Sequence, residues 1–385
     1  MAEAGRPAPL ILVVDPSAGA QPPFGTYAAV ARSGQALLAA EMSRRLGALG
    51  AAVAPLVPVS PPAGEPFGWG RWFSAAARSA LLEAFSRGAT LDAIGYVGAG
   101  ALALVDDVSL DDLLSPVAGE VTANNRYSAD AFVVAGNRER LERALAALEA
   151  CDTDNGAVRA LGAAGFASRD LTGRPWSRFD VDTPMDLALL RLATRLPHAR
   201  PRDGVVAGFL EMATLPGGRR LEVPHLDALG AVIRDRAGEL VVAGRAPAAA
   251  LAYLETETAC RVRAFVEERG MRSARDARPR SLLAAWVERL GPGDLVRQLA
   301  SLGDAVILDT RVIMAALAGS SDAAAWPPEE ERFASDFADR GRVSTPWLAE
   351  LTAAAAEASV PVLLGGHALV SDGLRILVEA AWLGH

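Results

Sequence analysis

Phe179-Asp180-Val181-Asp182-Thr183-Pro184-Met185-Asp186-Leu187 sets two carboxylates two residues apart, then a Thr-Pro turn, then a third carboxylate at the start of an apolar helix. Such an order makes a strand-to-helix corner. Asp182 or Thr183 supplies the N-cap, Pro184 takes the first helical position and Asp186 complements the helix dipole. The same corner offers oxygen ligands to a hard cation, because Mg2+ is usually held by one or two carboxylates together with substrate phosphates. A plain helix cap and a nucleotide-bound metal site both satisfy these residues.

Upstream of the corner the chain alternates strand and helix. Pro9 to Val14 is a continuous apolar run that ends in Asp15-Pro16-Ser17 and a Gly/Pro-rich loop reaching Gly25, which reads as a buried strand. Helical spacing from Gln35 to Leu49, a strand from Ala51 to Val59, the loop Ser60 to Gly64 and a helix from Trp72 to Arg87 follow. The next strand, Leu91 to Val97, closes in Gly98-Ala99-Gly100, and Ser109 then opens a helix as N-cap with Asp111 and Asp112 in its first turn. A strand at Ala131 to Val134 and helices at Arg138 to Glu149 and Val158 to Ala163 complete this half. The pattern predicts an α/β fold with a mostly parallel, helix-covered sheet.

A chain of 385 residues exceeds what one core usually supports, so two domains are expected. Pro197 to Asp203 and Pro216-Gly217-Gly218 are the most linker-like stretches and put the division near residue 200, giving domains of 1–200 and 201–385. Strands at Glu239 to Ala243, Arg261 to Val266, Ala305 to Leu308 and Val360 to Leu364 alternate with helices at Ala248 to Glu257, Ser281 to Leu302, onward through Ala356, and Leu369 to Ala381. That predicts a second α/β domain.

The string Asp180 to Leu187 resembles the closing motif of nucleotidyltransferases such as molybdenum-cofactor guanylyltransferase and 2-phospho-lactate guanylyltransferase, where a similar Asp-x-Asp-Thr-Pro-x-Asp-Leu leads into the last helix. The likeness covers the N-terminal half. It implies a GT-A-like Rossmannoid fold in which Asp180 and Asp182 are catalytic and hold Mg2+ or Mn2+ with the phosphates. The activity implied is transfer of a nucleoside monophosphate from a triphosphate to a small acidic or phosphorylated acceptor, with the second domain binding that acceptor or an effector. In such enzymes the loop after the first strand wraps the triphosphate, which points to Ser17 and Gly19, with Gly98 and Gly100 after a later strand. Active members carry an arginine and a lysine in that first loop; Val14 to Gly25 here carries no basic residue, and the whole chain contains no lysine. This departure opens a second reading, a catalytically degenerate nucleotide-binding or regulatory protein on the same fold. A third is a GT-A glycosyltransferase using Asp180-Val181-Asp182, although in those enzymes the Asp-x-Asp typically stands mid-domain.

Asn124, Asn125, Ser128 and Asp130 cluster before a strand and read either as hydrogen-bonding contacts to a base or sugar, with Asp130 a replacement metal ligand, or as an Asx-turn loop holding its own backbone. Asp106 and Asp107 substitute for a mid-domain metal ligand only if their loop folds back, and Asp154-Asn155 reads as a cap. Phe67-Gly68-Trp69-Gly70-Arg71-Trp72 could stack a base and meet a phosphate, but core packing of Trp72 and Phe73 is the favoured reading. In the second half Arg245, Arg311 and His367 each follow a predicted strand, where open parallel sheets bind ligands, so one crevice receives all three and takes an anion. The competing reading is surface ion pairs of little worth. His198, His225 and His385 lie in linker-like or terminal surroundings.

A net charge of −8 and pI near 5.2 argue against nucleic acid, which needs a basic patch, and favour small ligands; the resemblance implies a nucleotide and a small acidic acceptor as partners. The two cysteines, Cys151 and Cys260, have no disulfide or zinc spacing. The start MAEAGRPAP has no signal-peptide pattern and no apolar run approaches a membrane span, so no membrane partner and a cytoplasmic location are expected. Nothing in the sequence indicates the oligomeric state.

Overall fold

The structure, a computed structural model, describes residues 8–19, 21–58, 67–174, 176–197, 202–268 and 279–383. The loop Ser60 to Gly64, residues 198–201 of the linker-like stretch, and with them His198 and His385, lie outside the described residues. Two compact units result: Met1–Gln21 with Arg32–Asp180, and Pro22–Ala31 with Val181–His385. The chain therefore passes between units after Asp180, ahead of residue 200. Each unit is an α/β fold.

The first unit runs β1 (Leu10–Val14), α1 (Tyr27–Ala48, of which residues from Arg32 onward belong here), β2 (Ala52–Leu56), α2 (Trp69–Ser86), β3 (Ala93–Val97), α3 (Asp107–Leu113), β4 (Glu120–Ala123), β5 (Ala131–Ala135), α4 (Arg138–Glu149), α5 (Ala157–Ala163) and β6 (Ala167–Asp170). They form sheet A, ordered β2-β1-β3-β5-β4-β6, in which β5 alone runs antiparallel to its neighbours. Alternate residues of the strands face opposite cores. Leu10, Leu12, Ile94, Tyr96 and Phe132 pack with Trp69 and Phe73 of α2 and Leu145 of α4, whereas Ile11, Val13, Val97 and Val133 pack with Met42 and Leu46 of α1 and Leu110 of α3. A strand buried on both faces reads as an unbroken apolar run, which is why LILVV was legible.

The second unit holds α6 (Pro184–Ala193), α7 (Gly204–Met212), the short ribbon β7 (Thr214–Leu215) and β8 (Arg219–Arg220), α8 (Leu226–Arg234), β9 (Glu239–Gly244), α9 (Ala248–Glu257), β10 (Arg261–Val266), α10 (Leu282–Leu290), α11 (Pro292–Ala300), β11 (Ala305–Asp309), α12 (Thr310–Ala318), α13 (Glu329–Asp336), α14 (Pro346–Ala356), β12 (Val362–Gly365) and α15 (Asp372–Ala381). Sheet C, ordered β10-β9-β11-β12, is wholly parallel. Val241, Val306, Leu308 and Leu364 bury one of its faces against α10, α11 and α14. Among the described residues no helix is long and apolar enough to cross a membrane.

Three departures from the sequence reading have local causes. Helix α1 begins at Tyr27 rather than near Gln35, because its first N–H groups, those of Tyr27 and Ala28, donate to the two oxygens of Glu330 at 3.0 Å each. Tyr27 also stacks on Phe337, so residues 22–31 are held within the second unit by partners distant in sequence. Asp106, not Ser109, caps α3: its carboxylate accepts the Ser109 N–H at 2.7 Å. The helical stretch from Ser281 breaks at Gly291-Pro292, where Gly291 has φ near +93°.

The Phe67 to Trp72 segment is divided: Trp69 and Gly70 are core, whereas Phe67 is exposed and meets the half-buried Trp72 at 5.4 Å. Trp69 and Phe73 are buried and stack on each other at 5.3 Å. Gly70 lets α2 press on the end of α4: its N–H donates to Cys151 O, and a Cβ there would stand 2.0 Å from Leu148 O. We expect Gly70→Ala to cost about 2 kcal/mol or more of stability, as overpacking against rigid backbone does. Urea denaturation checks this, and an unchanged midpoint would show that the contact is not close.

Candidate functional site

In each sheet the chain places its first two strands side by side and then crosses to the opposite flank of the first. This puts a reversal of strand order between β1 and β3 in sheet A and between β9 and β11 in sheet C. At such a point the two outgoing loops diverge and leave a crevice beyond the carboxyl ends of the strands. The predicted loops emerge there: Asp15 to Gly19 after β1 and Gly98 to Gly100 after β3; Gly244-Arg245 after β9 and Asp309 to Arg311 after β11.

At the end of β3 in the first unit, Tyr96 is buried with its hydroxyl turned toward acids. The hydroxyl donates to Asp154 Oδ2 at 3.4 Å, and its pKa is driven well above the ordinary phenol value by burial and by the charges of Asp154, Asp130 and Asp180. The neighbouring loop is bound to itself. Asn124 is buried, donates to Asp130 Oδ2 and Ser177 O, and accepts the Ala131 N–H. Asn125 accepts the Tyr127 N–H in an Asx turn, Ser128 donates to Asn155 at 2.6 Å, and the Gly98 N–H is given to Asp130 O. These residues shape the edge rather than face a ligand. Asn124, expected to read a base or sugar, has its whole amide engaged within the protein, whereas Asn125 uses only its Oδ1 in the turn.

The loop after β1 closes in the same manner. Asp15 Oδ1 accepts both the N–H and the hydroxyl of Ser17, at 2.9 and 2.6 Å, and Gln21 donates to the carbonyls of Pro16, Ser17 and Gly19. Ser17, expected to bind phosphate, has therefore given both donors to a carboxylate. Gly100 keeps its left-handed turn, with φ near +83°. Asp107 pairs with Arg45 at 2.7 Å and Asp106 is the α3 cap.

The Asp-x-Asp corner divides its carboxylates. Asp180, half-buried in the first unit, acts on Tyr96, whereas Asp182 is exposed, belongs to the second unit and presses on Asp186. Thr183 and Asp186 form the full capping box of α6. The Thr183 hydroxyl accepts the Asp186 N–H, while Asp186 Oδ2 takes the N–H groups of Asp182 and Thr183 and the Thr183 hydroxyl proton. Among the described residues no three acidic, histidine or cysteine side chains gather to hold a metal ion. Asp182, expected with Asp180 to hold a metal, stands beside the α6 cap, while Asp180 acts on Tyr96.

The chain matches no family model, no curated protein and no solved structure. What the polar edges do has to be read from their geometry.

In sheet C the two arginines converge as expected but spend their charge on buried acids. Arg245 forks onto Asp309, Nε to Oδ2 at 2.6 Å and Nη2 to Oδ1 at 3.0 Å. Arg311 forks onto Asp336 at 2.7 and 2.5 Å and also donates to Thr310. Arg311 is buried, which corrects it from ligand contact to internal support. Burial opposes the Asp309 charge, but the Arg245 guanidinium, its hydrogen bonds and the nearby His367 hold the carboxyl below its usual range. Two open clefts in the second unit, about 560 and 530 Å³, are lined by Tyr253, Glu257 and Trp382, and by Arg191, Glu222 and His225. Neither includes a residue at the carboxyl end of a strand, and in the second Arg191 pairs with Glu222 at 3.1 Å.

Tyr96 and Asp154 were not singled out as functional; the only signal was a phenol ending an otherwise apolar strand. Asp186 was expected only as a dipole partner, yet it is buried with Oδ1 lacking a hydrogen bond, and burial, then the Asp182 charge, raises its pKa to about 7. In the unfolded chain an aspartate titrates near ~3.9. Between these values the folded state keeps a proton that the unfolded state releases, so this group's contribution falls as pH rises from about 4 to about 7 and stays lost above. Asp186→Asn should therefore gain on wild type as pH increases. Urea midpoints at pH 5 and pH 8 check it, and a pH-independent difference would mean that Asp186 titrates normally.

Proposed function

We propose that the chain is a nucleotidyltransferase-like protein that holds a nucleotide, as its complex with Mg2+ or Mn2+, at the crossover edge of sheet A. The arrangement that supports this reading is the carboxyl end of β3, where the Tyr96 hydroxyl meets Asp154, Asn124 holds Asp130, and the charges of Asp130 and Asp180 help to raise the Tyr96 pKa. A hard cation needs only one or two protein carboxylates when phosphate oxygens complete its shell, and Asp130 and Asp180 fit that donor set. The likeness of Asp180 to Leu187 to the nucleotidyltransferase closing motif points the same way. Bound there, the metal would neutralise the triphosphate and align attack at the α-phosphorus.

The loop after β1 favours binding over rapid transfer. With no cation in that loop and Ser17 turned inward on Asp15, the phosphates meet the metal but few protein donors. A catalytically degenerate nucleotide-binding protein is accordingly the form of this reading that the geometry supports best, and the second unit takes the place of an acceptor- or effector-binding domain.

Isothermal titration of the full chain with nucleoside triphosphates should show binding that requires Mg2+ or Mn2+ and weakens about tenfold or more in Asp180→Asn, the loss expected for one charged contact. Pyrophosphate release should be slow. Equal affinity in the variant, or binding without metal, contradicts the metal reading; fast pyrophosphate release contradicts degeneracy; a preference for sugar nucleotides favours a glycosyltransferase.

A further inference from the structure

We propose that the carboxyl edge of sheet C is a separate binding site for a small oxyanion, a phosphate or carboxylate group, received by Arg245 and His367 across Asp309. Register places the three residues together. Leu308 pairs with Ala243 and Asp309 with Gly365, so Gly244-Arg245, Asp309 and Gly366-His367 leave three adjacent strands at one level. With strands about 4.8 Å apart, the backbones of Arg245 and His367 stand roughly 10 Å apart, a span that two side chains and a small anion fill.

The site is built rather than incidental. Asp309 is fully buried and its two oxygens accept Nε, Nη2 and the N–H of Arg245 and the N–H of Arg311. This fixes the Arg245 guanidinium while leaving its side chain 16% exposed, with Nη1 making no hydrogen bond among the described residues. An arginine oriented in this way presents an outward donor edge to an oxyanion. Glycine is required beneath it: Gly244 has φ near +132°, and a Cβ there would stand 2.3 Å from Asp309 Cβ. Behind lies a second buried pair, Arg311 with Asp336, which supports the Thr310 corner.

Asp309 also caps α12 by accepting the Arg311 N–H, a role that needs neither arginine fork. Burying ion pairs costs desolvation that their attraction often fails to recover, so apolar residues would serve a structural core as well. Two such pairs at the one position where an open parallel sheet forms a crevice, with an exposed histidine at its rim, fit a ligand site.

Titration of the full chain with inorganic phosphate, and separately with acetate, tests the site and tells the two oxyanions apart. Wild type should bind at least one of them, His367→Gln and Arg245→Gln should each weaken binding about tenfold, and Asp180→Asn should leave it unchanged. His367 is exposed, so His367→Gln decides alone if Arg245→Gln fails to fold. No binding of either anion by wild type, wild-type affinity in His367→Gln, or loss of binding in Asp180→Asn overturns the proposal.

Discussion

Each unit is organised by one central parallel strand, β1 or β9, whose two neighbours are reached by crossovers leading to opposite sides. Parallel pairing forces every strand to be followed by a helix or loop that returns to the starting end, so the chain's irregular polar segments collect at the carboxyl ends. Where crossover direction reverses, adjacent loops separate and leave room. Tyr96 with its acids and the Arg245–Asp309 fork lie at these two positions.

The two edges share topology but differ in charge. The sheet A edge sets the Tyr96 hydroxyl beside Asp154, with the charges of Asp130 and Asp180 acting on it, and its first loop is sealed by Asp15. The sheet C edge orients an arginine with a buried carboxylate and leaves part of it open.

The α/β class was legible because LILVV, Leu91 to Val97 and Ala305 to Leu308 are short apolar runs that only doubly covered strands require. The strands β4 and β6, four residues each, were missed, since Glu120 and the Ser168-Arg169-Asp170 segment break the apolar pattern. The start of α1 was invisible because its cap, Glu330, lies some three hundred residues away. The corner at Asp180 was read as both a helix cap and a metal site. The capping box is present in full, whereas Asp180 and Asp182 act on different groups, a separation that a two-residue spacing does not reveal. Likewise Arg245, Arg311 and His367 were recognisable as strand-end residues, but the carboxylates that meet the arginines, Asp309 and Asp336, could be assigned only once the strands were in register.

The central claim is that Asp130 and Asp180 hold a metal–nucleotide complex beside Tyr96. Crystals grown with Mn2+ and a non-hydrolysable nucleoside triphosphate analogue test it directly through the anomalous signal of manganese. The account predicts a single strong peak within coordination distance of Asp130 and Asp180, with the phosphates beyond it over the crossover of sheet A. A nucleotide bound elsewhere, or a peak with neither carboxylate in its shell, would contradict it.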